Sequence, residues 1–224
     1  MARETNEAEK SSRPMEARRT KQRIFDAALR LLREGGTKAA TMRAICEEAK
    51  VTPPTLYHHF GDMPGLYGEV LKTIEENMRG EAVIHDFTPE ERIEDTWRSH
   101  VEMARHEPGL FDLWARHLAW ERLSATSLNA QKGLQQAFEK LSTSYQMKVT
   151  PEQAAFVFWA AAHGIACLIA ASPHDGIPYP DGAAQALKDG ALNAIFEVPP
   201  KLKPPKRKAT NLVKSKATPS RRKG

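Results

Sequence analysis

Cysteine is almost missing from this 224-residue sequence, which has only two, Cys46 and Cys167. Two cysteines so far apart provide neither a disulfide framework nor the close ligand spacing of a structural zinc site. Each lies inside an apolar helical pattern, where a thiol packs as a small apolar group. The sequence therefore predicts a fold held by its apolar core, with no metal and no cofactor, in a reducing cytoplasm.

Motifs for catalysis and secretion are missing as well. The sequence has no glycine-rich phosphate loop, no cluster of metal ligands and no Ser-x-Gly nucleophile turn. An enzyme with an all-α fold is therefore a weaker alternative than a binding protein. The first 19 residues are polar and charged, without the apolar stretch of a secretory signal. These absences favour a binding protein that is not an enzyme.

Charge is distributed unevenly along the chain, although the net charge is only +5. Residues 10–61 contain 11 Lys and Arg against 5 Asp and Glu, and residues 201–224 contain 10 against none. Residues 62–200 contain 11 against 20. Basic ends around an acidic middle indicate a polyanion bound at particular faces, and nucleic acid is the first candidate.

Apolar residues recur at helical spacing, and no period-two pattern indicates a strand. A Thr-x-x-Glu/Gln pattern followed by proline marks helix starts at Thr88 and Thr150. Breaks are predicted at Gly35-Gly36, at Gly61-Asp62, at Pro108-Gly109 and over 172–182. The sequence predicts an all-α fold of nine helices, near residues 17–34, 42–49, 53–59, 63–80, 89–106, 109–115, 117–144, 151–171 and 183–197.

Residues 41–60, TMRAICEEAKVTPPTLYHHF, contain two short helices separated by about three residues. Thr41 is placed to cap the first, and Thr52 with Pro53 to begin the second. This arrangement exposes the start of the second helix, where short side chains enter a DNA major groove about 12 Å wide. Two amphipathic helices of an ordinary bundle have the same spacing, so spacing alone leaves both interpretations open.

The strings IFDAALRLLREGG, ATMRAICEEAKV and TLYHHF, followed by an apolar helix, occur here in a characteristic order. Over about residues 20–70 they resemble the amino-terminal domain of TetR-family transcriptional regulators. The resemblance implies a three-helix DNA-binding domain joined to a helical ligand-binding and dimerisation domain. It further implies a homodimeric, ligand-responsive repressor that binds double-stranded DNA at a palindromic operator.

The resemblance also implies roles for single residues. Arg43 matches a position that touches a base or a phosphate, and an arginine there pairs with guanine through two hydrogen bonds. Residues 53–55 match positions facing bases, whereas Tyr57 and His58 match contacts to the DNA backbone. The predicted DNA-binding set is Arg18, Lys21, Thr41, Arg43, Thr52, Pro53, Pro54, Thr55, Tyr57 and His58.

Two departures from the family pattern stand out. Lys50 occupies the usual turn glycine, so a left-handed backbone there costs about 1 kcal/mol. Met63 occupies the position of a lysine that contacts phosphate, and Asp62 before it competes for the free helix amides. Basic residues near the first helix, Arg18, Arg19 and Lys21, are expected to compensate.

Aromatic residues are frequent after residue 71, and most are expected to be ordinary core residues. Some are candidates for lining a cavity between helices, the usual place for a ligand in a bundle. The candidate ligand residues are His100, Met103, Trp114, His117, Phe138 and Trp159. The predicted effector is a small apolar or aromatic molecule.

Residues 154–171 contain no charge over 18 positions, which approaches the length of a membrane span. Many alanines, His163 in the middle and the capped start favour a buried helix and no membrane. This helix and the small-residue face of the last helix together predict a four-helix dimer interface. WAAAHG, 159–164, also resembles the Trp-x-x-x-His-Gly element of a carboxy-terminal TetR subfamily. The predicted interface residues are Ala160, His163, Gly164, Cys167, Ala183, Leu187 and Ala191.

Four segments are predicted in all. Residues 1–16 form a disordered arm, 17–62 the helix-turn-helix domain, 63–198 the ligand-binding and dimerisation domain, and 199–224 a disordered Lys/Arg-rich tail. The tail's charges either add salt-sensitive phosphate contacts or are simply solvated. A nucleoid-type protein that coats DNA through this tail is the second alternative, and the protein is expected in the cytoplasm with the nucleoid.

Overall fold

The computed structural model describes residues 2–84, 87–120, 125–175 and 179–203. Within these ranges the all-α fold is confirmed, with nine helices and no strand beyond one isolated antiparallel bridge between Met147 and Phe196. The helices are α1 Ala2–Ala39, α2 Met42–Ala49, α3 Pro53–Phe60, α4 Met63–Ile84, α5 Pro89–His106, α6 Pro108–Trp120, α7 Ala125–Leu141, α8 Pro151–Asp175 and α9 Ala183–Ile195.

The amino-terminal arm is a correction to the sequence prediction. Residues 1–16 were expected to be disordered, but α1 is helical from Ala2 and continues through Pro14. Alanine, glutamate, lysine and arginine dominate this segment, and their helix propensity outweighs the hydrogen bond that Pro14 removes. Most of the predicted tail, residues 204–224, lies outside the described residues.

The predicted break at Gly35-Gly36 is confirmed, since both residues leave helical geometry inside α1. Gly36 has φ 62° and ψ −157°, a region that is open essentially to glycine alone. The predicted helix starts at Thr88 and Thr150 are also confirmed. Each threonine hydroxyl accepts from the third amide of its helix, and the Glu91 or Gln153 side chain accepts from the threonine amide.

The boundary between α6 and α7 was predicted wrongly. The helices predicted over 109–115 and 117–144 are Pro108–Trp120 and Ala125–Leu141. Residues 116–120 contain neither glycine nor proline, so nothing local stops α6. At the other end, the hydroxyls of Ser142 and Thr143 donate to the carbonyls of Glu139 and Lys140, which ends α7 earlier than predicted.

The chain divides into two compact units between Ile74 and Glu75, whereas the sequence predicted a boundary after residue 62. The first part of α4 belongs to the amino-terminal unit because it makes polar contacts with α1 and with the residue that follows α1. The Tyr67 hydroxyl donates to the carbonyl of Ala40 at 2.8 Å, and the Lys21 ammonium lies 3.1 Å from Glu69.

The carboxy-terminal unit is built around α8, which packs against α5, α6, α7 and α9. Residues Pro151–Ala171 form the one described helix segment long and apolar enough to cross a membrane, with a mean hydropathy of 1.9. Only 39% of its most apolar window is buried within the chain. A large apolar face of α8 therefore remains uncovered by the unit itself.

The turn between α2 and α3 has the left-handed backbone that the family resemblance implies at the position of the usual turn glycine. Lys50 adopts φ 53° and ψ 51°, and it is the one described residue other than glycine with positive φ. We expect Lys50→Gly to raise the free energy of unfolding by about 1 kcal/mol, because glycine adopts this conformation without a Cβ clash. Urea denaturation measures the change. Lys50→Ala, which removes the charge and keeps the Cβ, is the control, and an equal gain in it would contradict the backbone explanation.

Candidate nucleic-acid interface

Two short helices at the amino-terminal unit's surface are held by a local apolar core. Ile45 of α2 and Leu56 of α3 are fully buried, and Ala49 and Cys46 lie beside them. Burial raises the pKa of the Cys46 thiol, so it remains protonated and packs as predicted. α1 closes this core through the buried residues Ile24, Ala27, Ala28, Leu29 and Leu32.

Both helix starts have the predicted form. The Thr41 side chain accepts from the amide of Ala44 at 3.3 Å, which caps α2. Thr52 precedes Pro53 at the start of α3, but its hydroxyl lies 3.0 Å from that of Thr55 and caps no amide. No side chain therefore caps the first amides of α3. Pro53 and Pro54 have no amide hydrogen, so neither of them needs a cap.

Most of the predicted DNA-binding set lies on the surface of the amino-terminal unit. Eight of its ten members are exposed, and Lys21 and Thr55 are half-buried. Tyr57 is 45% exposed, and its hydroxyl donates to Sδ of Met42 at 3.1 Å, which ties α3 to the start of α2. The exposed members are Arg18, Thr41, Arg43, Thr52, Pro53, Pro54, Tyr57 and His58.

Lys21 is less available than the sequence suggests. Its ammonium lies 3.1 Å from a Glu69 carboxylate oxygen and 5.2 Å above the ring of Phe60. The pKa of the nearby His59 ring is lowered, mainly because the ring is partly buried and also because His58 and Lys21 lie close to it. His59 is therefore neutral at neutral pH, and the local positive charge belongs to other side chains.

The start of α4 is occupied by the protein's own carboxylate. Asp62 Oδ1 accepts from the amide of Gly65 at 2.7 Å, as the sequence predicts for a competing cap. Among the first three residues of α4, Pro64 has no amide hydrogen, so Met63 has the only amide hydrogen besides that of Gly65. A phosphate at this helix start would meet a negative charge and no lysine.

Three of the six predicted ligand residues meet in the carboxy-terminal unit. The His100 ring lies 5.4 Å from Trp114 and 6.5 Å from Trp159 between ring centroids. Phe138 belongs to a different cluster with Phe158 and Phe196. Met103 is buried on α5 and His117 half-buried on α6, and neither lies among the described ring contacts of His100.

Two further residues complete this His100 cluster, which we define as His100, Phe111, Trp114, Trp159 and His163. The His163 ring stacks on Trp159 at 5.1 Å and 7°, and it lies 5.6 Å from Trp114 and 5.8 Å from Phe111. Spacings of three and four residues, Phe111–Trp114 and Trp159–His163, were the sequence signal for these contacts. A separate cleft of about 550 Å³ between α5, α9 and residues 199–202 contains none of the six predicted ligand residues.

The predicted dimer residues do not share one environment. Ala160, Gly164 and Leu187 are exposed, and three others are half-buried: His163, Cys167 and Ala183. Ala191 is only 7% exposed, so its prediction as an interface residue is wrong, because that side of α9 packs within its own unit. Phe156 and Leu168 were not among the predicted interface residues, although they are 67% and 65% exposed on α8.

A surface-presented short helix, braced by a second short helix and a long one, defines the helix-turn-helix class of DNA-binding proteins. Residues 24–70 match the family model described as bacterial regulatory proteins, tetR family. The regulator UidR of Escherichia coli K12 is 47% identical over 45 residues, which are 20% of this chain and 23% of UidR. The sequence similarity thus spans about a quarter of that relative's length.

Solved structures extend the likeness of the fold to most of the chain. NalD, the secondary repressor of an efflux pump in Pseudomonas aeruginosa, matches 81% of this chain and 98% of its own with a TM-score of 0.51 and 17% identity. AibR, solved with isovaleryl coenzyme A and operator DNA, matches 79% and 98% with a TM-score of 0.54 and 18% identity. Residues 24–70 thus match the DNA-binding domain of the tetR family of bacterial regulatory proteins, and the chain shares its all-α fold with solved bacterial regulators.

Proposed function

We propose that this protein is a ligand-responsive repressor that binds a palindromic operator as a homodimer in the cytoplasm, at the nucleoid. The observation that carries the proposal is the exposed start of α3, residues 52–54, on a rigid base formed by Ile45 and Leu56. Arg43 is exposed on the adjoining helix and has the donors to recognise guanine. The family match covers this same unit.

Dimerisation is supported by the apolar surface of α8. Phe156, Ala160, Gly164 and Leu168 are all exposed and follow one another at four-residue spacing, so they form one stripe along the helix. Large exposed apolar patches on soluble proteins mark interaction sites. A second copy of α8 and α9 covers this stripe in the proposed dimer, and a two-fold symmetric dimer presents two α3 helices to successive half-sites.

Ligand response is supported by the carboxy-terminal unit's buried polar and aromatic cluster around His100. Among proteins of the same fold, AibR has been solved with both an acyl-coenzyme A and operator DNA. An effector bound in this unit shifts the balance between dimer geometries and moves the two recognition helices out of register with the operator.

The experiment is selection of bound sequences from random DNA with the full-length protein. A repressor returns a palindrome, whereas a protein that coats DNA through a basic tail returns none. Arg43→Ala is expected to reduce affinity for the selected operator at least tenfold, since each of the two arginine–guanine pairs in the proposed dimer contributes about 1–3 kcal/mol. The control is Arg116→Ala, which removes an equal charge from a side chain paired with Asp112 in the other unit. Equal losses in both variants would contradict base recognition by Arg43.

The start of α4 provides a gain-of-function prediction. Met63→Lys is expected to tighten operator binding and to steepen its salt dependence, because each added phosphate contact contributes about 0.9 to the slope of log K against log salt. Two copies in a dimer add about 1.8. Met63→Gln, uncharged and of similar length, is the control, and an unchanged salt slope in Met63→Lys would show that DNA does not reach this helix start.

A further inference from the structure

The His100 cluster contains two buried polar atoms that the fold leaves without partners. His100 is 7% exposed, and its Nδ1 lies 2.8 Å from the carbonyl oxygen of Thr96. A carbonyl only accepts hydrogen bonds, so Nδ1 carries the hydrogen and Nε2 retains its lone pair. That Nε2 is buried with no hydrogen-bond partner among the described residues, and the same holds for Nδ1 of His163.

Both imidazoles are neutral in this environment. Burial, opposed by the Thr96 carbonyl and reinforced by His163, lowers the pKa of His100 to about 4. Burial also lowers the pKa of His163. The Cys167 sulfur lies 3.6 Å from Nε2 of His163, and burial, then Asp112, raise the pKa of this thiol. Nε2 of His163 and the Cys167 thiol share one hydrogen bond, so Nδ1 is the ring nitrogen of His163 that has no partner among the described residues.

The cluster presents aromatic faces and no charged side chain of its own. Trp114, Trp159 and Phe111 supply the rings. Asp112, whose charge acts on Cys167, is held by Arg116, whose Nε lies 2.9 Å from both carboxylate oxygens. A charged molecule would be buried here without a counter-ion, which is strongly unfavourable.

The unsatisfied acceptor Nε2 of His100 matches a hydroxyl group, which donates to it. Because a hydroxyl both donates and accepts, it also suits the unpaired Nδ1 of His163 in either tautomer. On this basis, and resting on the proposed ligand response, we propose that the His100 cluster binds a neutral aromatic hydroxyl compound whose hydroxyl donates to Nε2 of His100. The rings lie 5.1–6.5 Å apart, which is contact distance, so binding displaces one of them. The half-buried indole of Trp159, stacked flat on His163, is the one that yields its place to the ligand ring.

The test is equilibrium dialysis of the full-length protein with 1-naphthol, naphthalene and 1-naphthoate at neutral pH. We expect 1-naphthol to bind at least tenfold more tightly than naphthalene, which leaves Nε2 unsatisfied, and than 1-naphthoate, which brings a buried charge. Equal affinities for 1-naphthol and naphthalene, or binding of none of the three, overturn the proposal. This comparison needs no variant and is independent of how substitutions affect folding.

His100→Phe keeps a flat ring and removes the acceptor, so it is expected to bring the preference for 1-naphthol over naphthalene to within twofold. His106→Phe changes an exposed histidine of the same helix and should retain the preference. A preference that survives His100→Phe in a folded variant overturns the role of Nε2. Release of operator DNA by 1-naphthol is measured separately: binding without release supports this site and contradicts the proposed ligand response.

Discussion

Lys188→Met is expected to lower the free energy of unfolding by about 3 kcal/mol, although methionine is an apolar side chain of similar length. Lys188 is only 8% exposed, and its ammonium lies 3.1 and 2.9 Å from the two carboxylate oxygens of Glu94. The pair joins α9 to α5 inside the carboxy-terminal unit. Removing the lysine leaves the Glu94 carboxylate largely buried without its cation, and the cost of that uncompensated charge dominates the change.

The double variant Lys188→Met/Glu94→Leu separates this cost from a loss of packing. Because it removes both charges, its stability is expected to return to within about 1 kcal/mol of the wild type. Lys132→Met, at an exposed position of α7, should have almost no effect. Chemical denaturation of all four proteins provides the measurement. A double variant as unstable as the single one would show that packing by Lys188, not its charge, matters.

If the proposed dimer forms through α8, Leu168→Glu is expected to convert it to a monomer and to weaken operator binding by about 10²–10⁴-fold, the factor gained when two linked sites bind together. Leu168 is 65% exposed on the stripe that contains Phe156. In a symmetric dimer, each substitution buries two carboxylates in an apolar interface. Folding of the single chain is expected to be unchanged, because the side chain already faces outwards.

Leu128→Glu is the matched control, since Leu128 is 43% exposed on α7, away from the stripe. Sedimentation equilibrium gives the mass of each variant, and electrophoretic mobility shifts with the selected operator give the affinity. A Leu168→Glu protein that stays dimeric and binds the operator normally would place the interface elsewhere. A monomer that retains full affinity would contradict the coupling between dimerisation and DNA binding.

Local signals in the sequence were sufficient for the DNA-reading unit. α2 was predicted with its observed bounds, and α3 to within one residue, because Thr41, Thr52 and Pro53 act on the helix that immediately follows them. The competing cap from Asp62 was predicted for the same reason, whereas the left-handed turn at Lys50 was an implication of the family resemblance. Where local signals were weak, as between α6 and α7, the boundary was wrong.

By itself, then, the sequence determined the helical architecture, the break at Gly35-Gly36 and the two short helices α2 and α3, all of which depend on residues a few positions apart. Only the tertiary structure decided which faces of α8 and α9 are exposed. α8 is apolar around its whole circumference, so no periodicity distinguishes Phe156 and Leu168, which face outwards, from Phe158, which is fully buried. Tertiary packing likewise brought His100 of α5 beside His163 of α8, since contacts between residues so distant in sequence arise only when the helices pack.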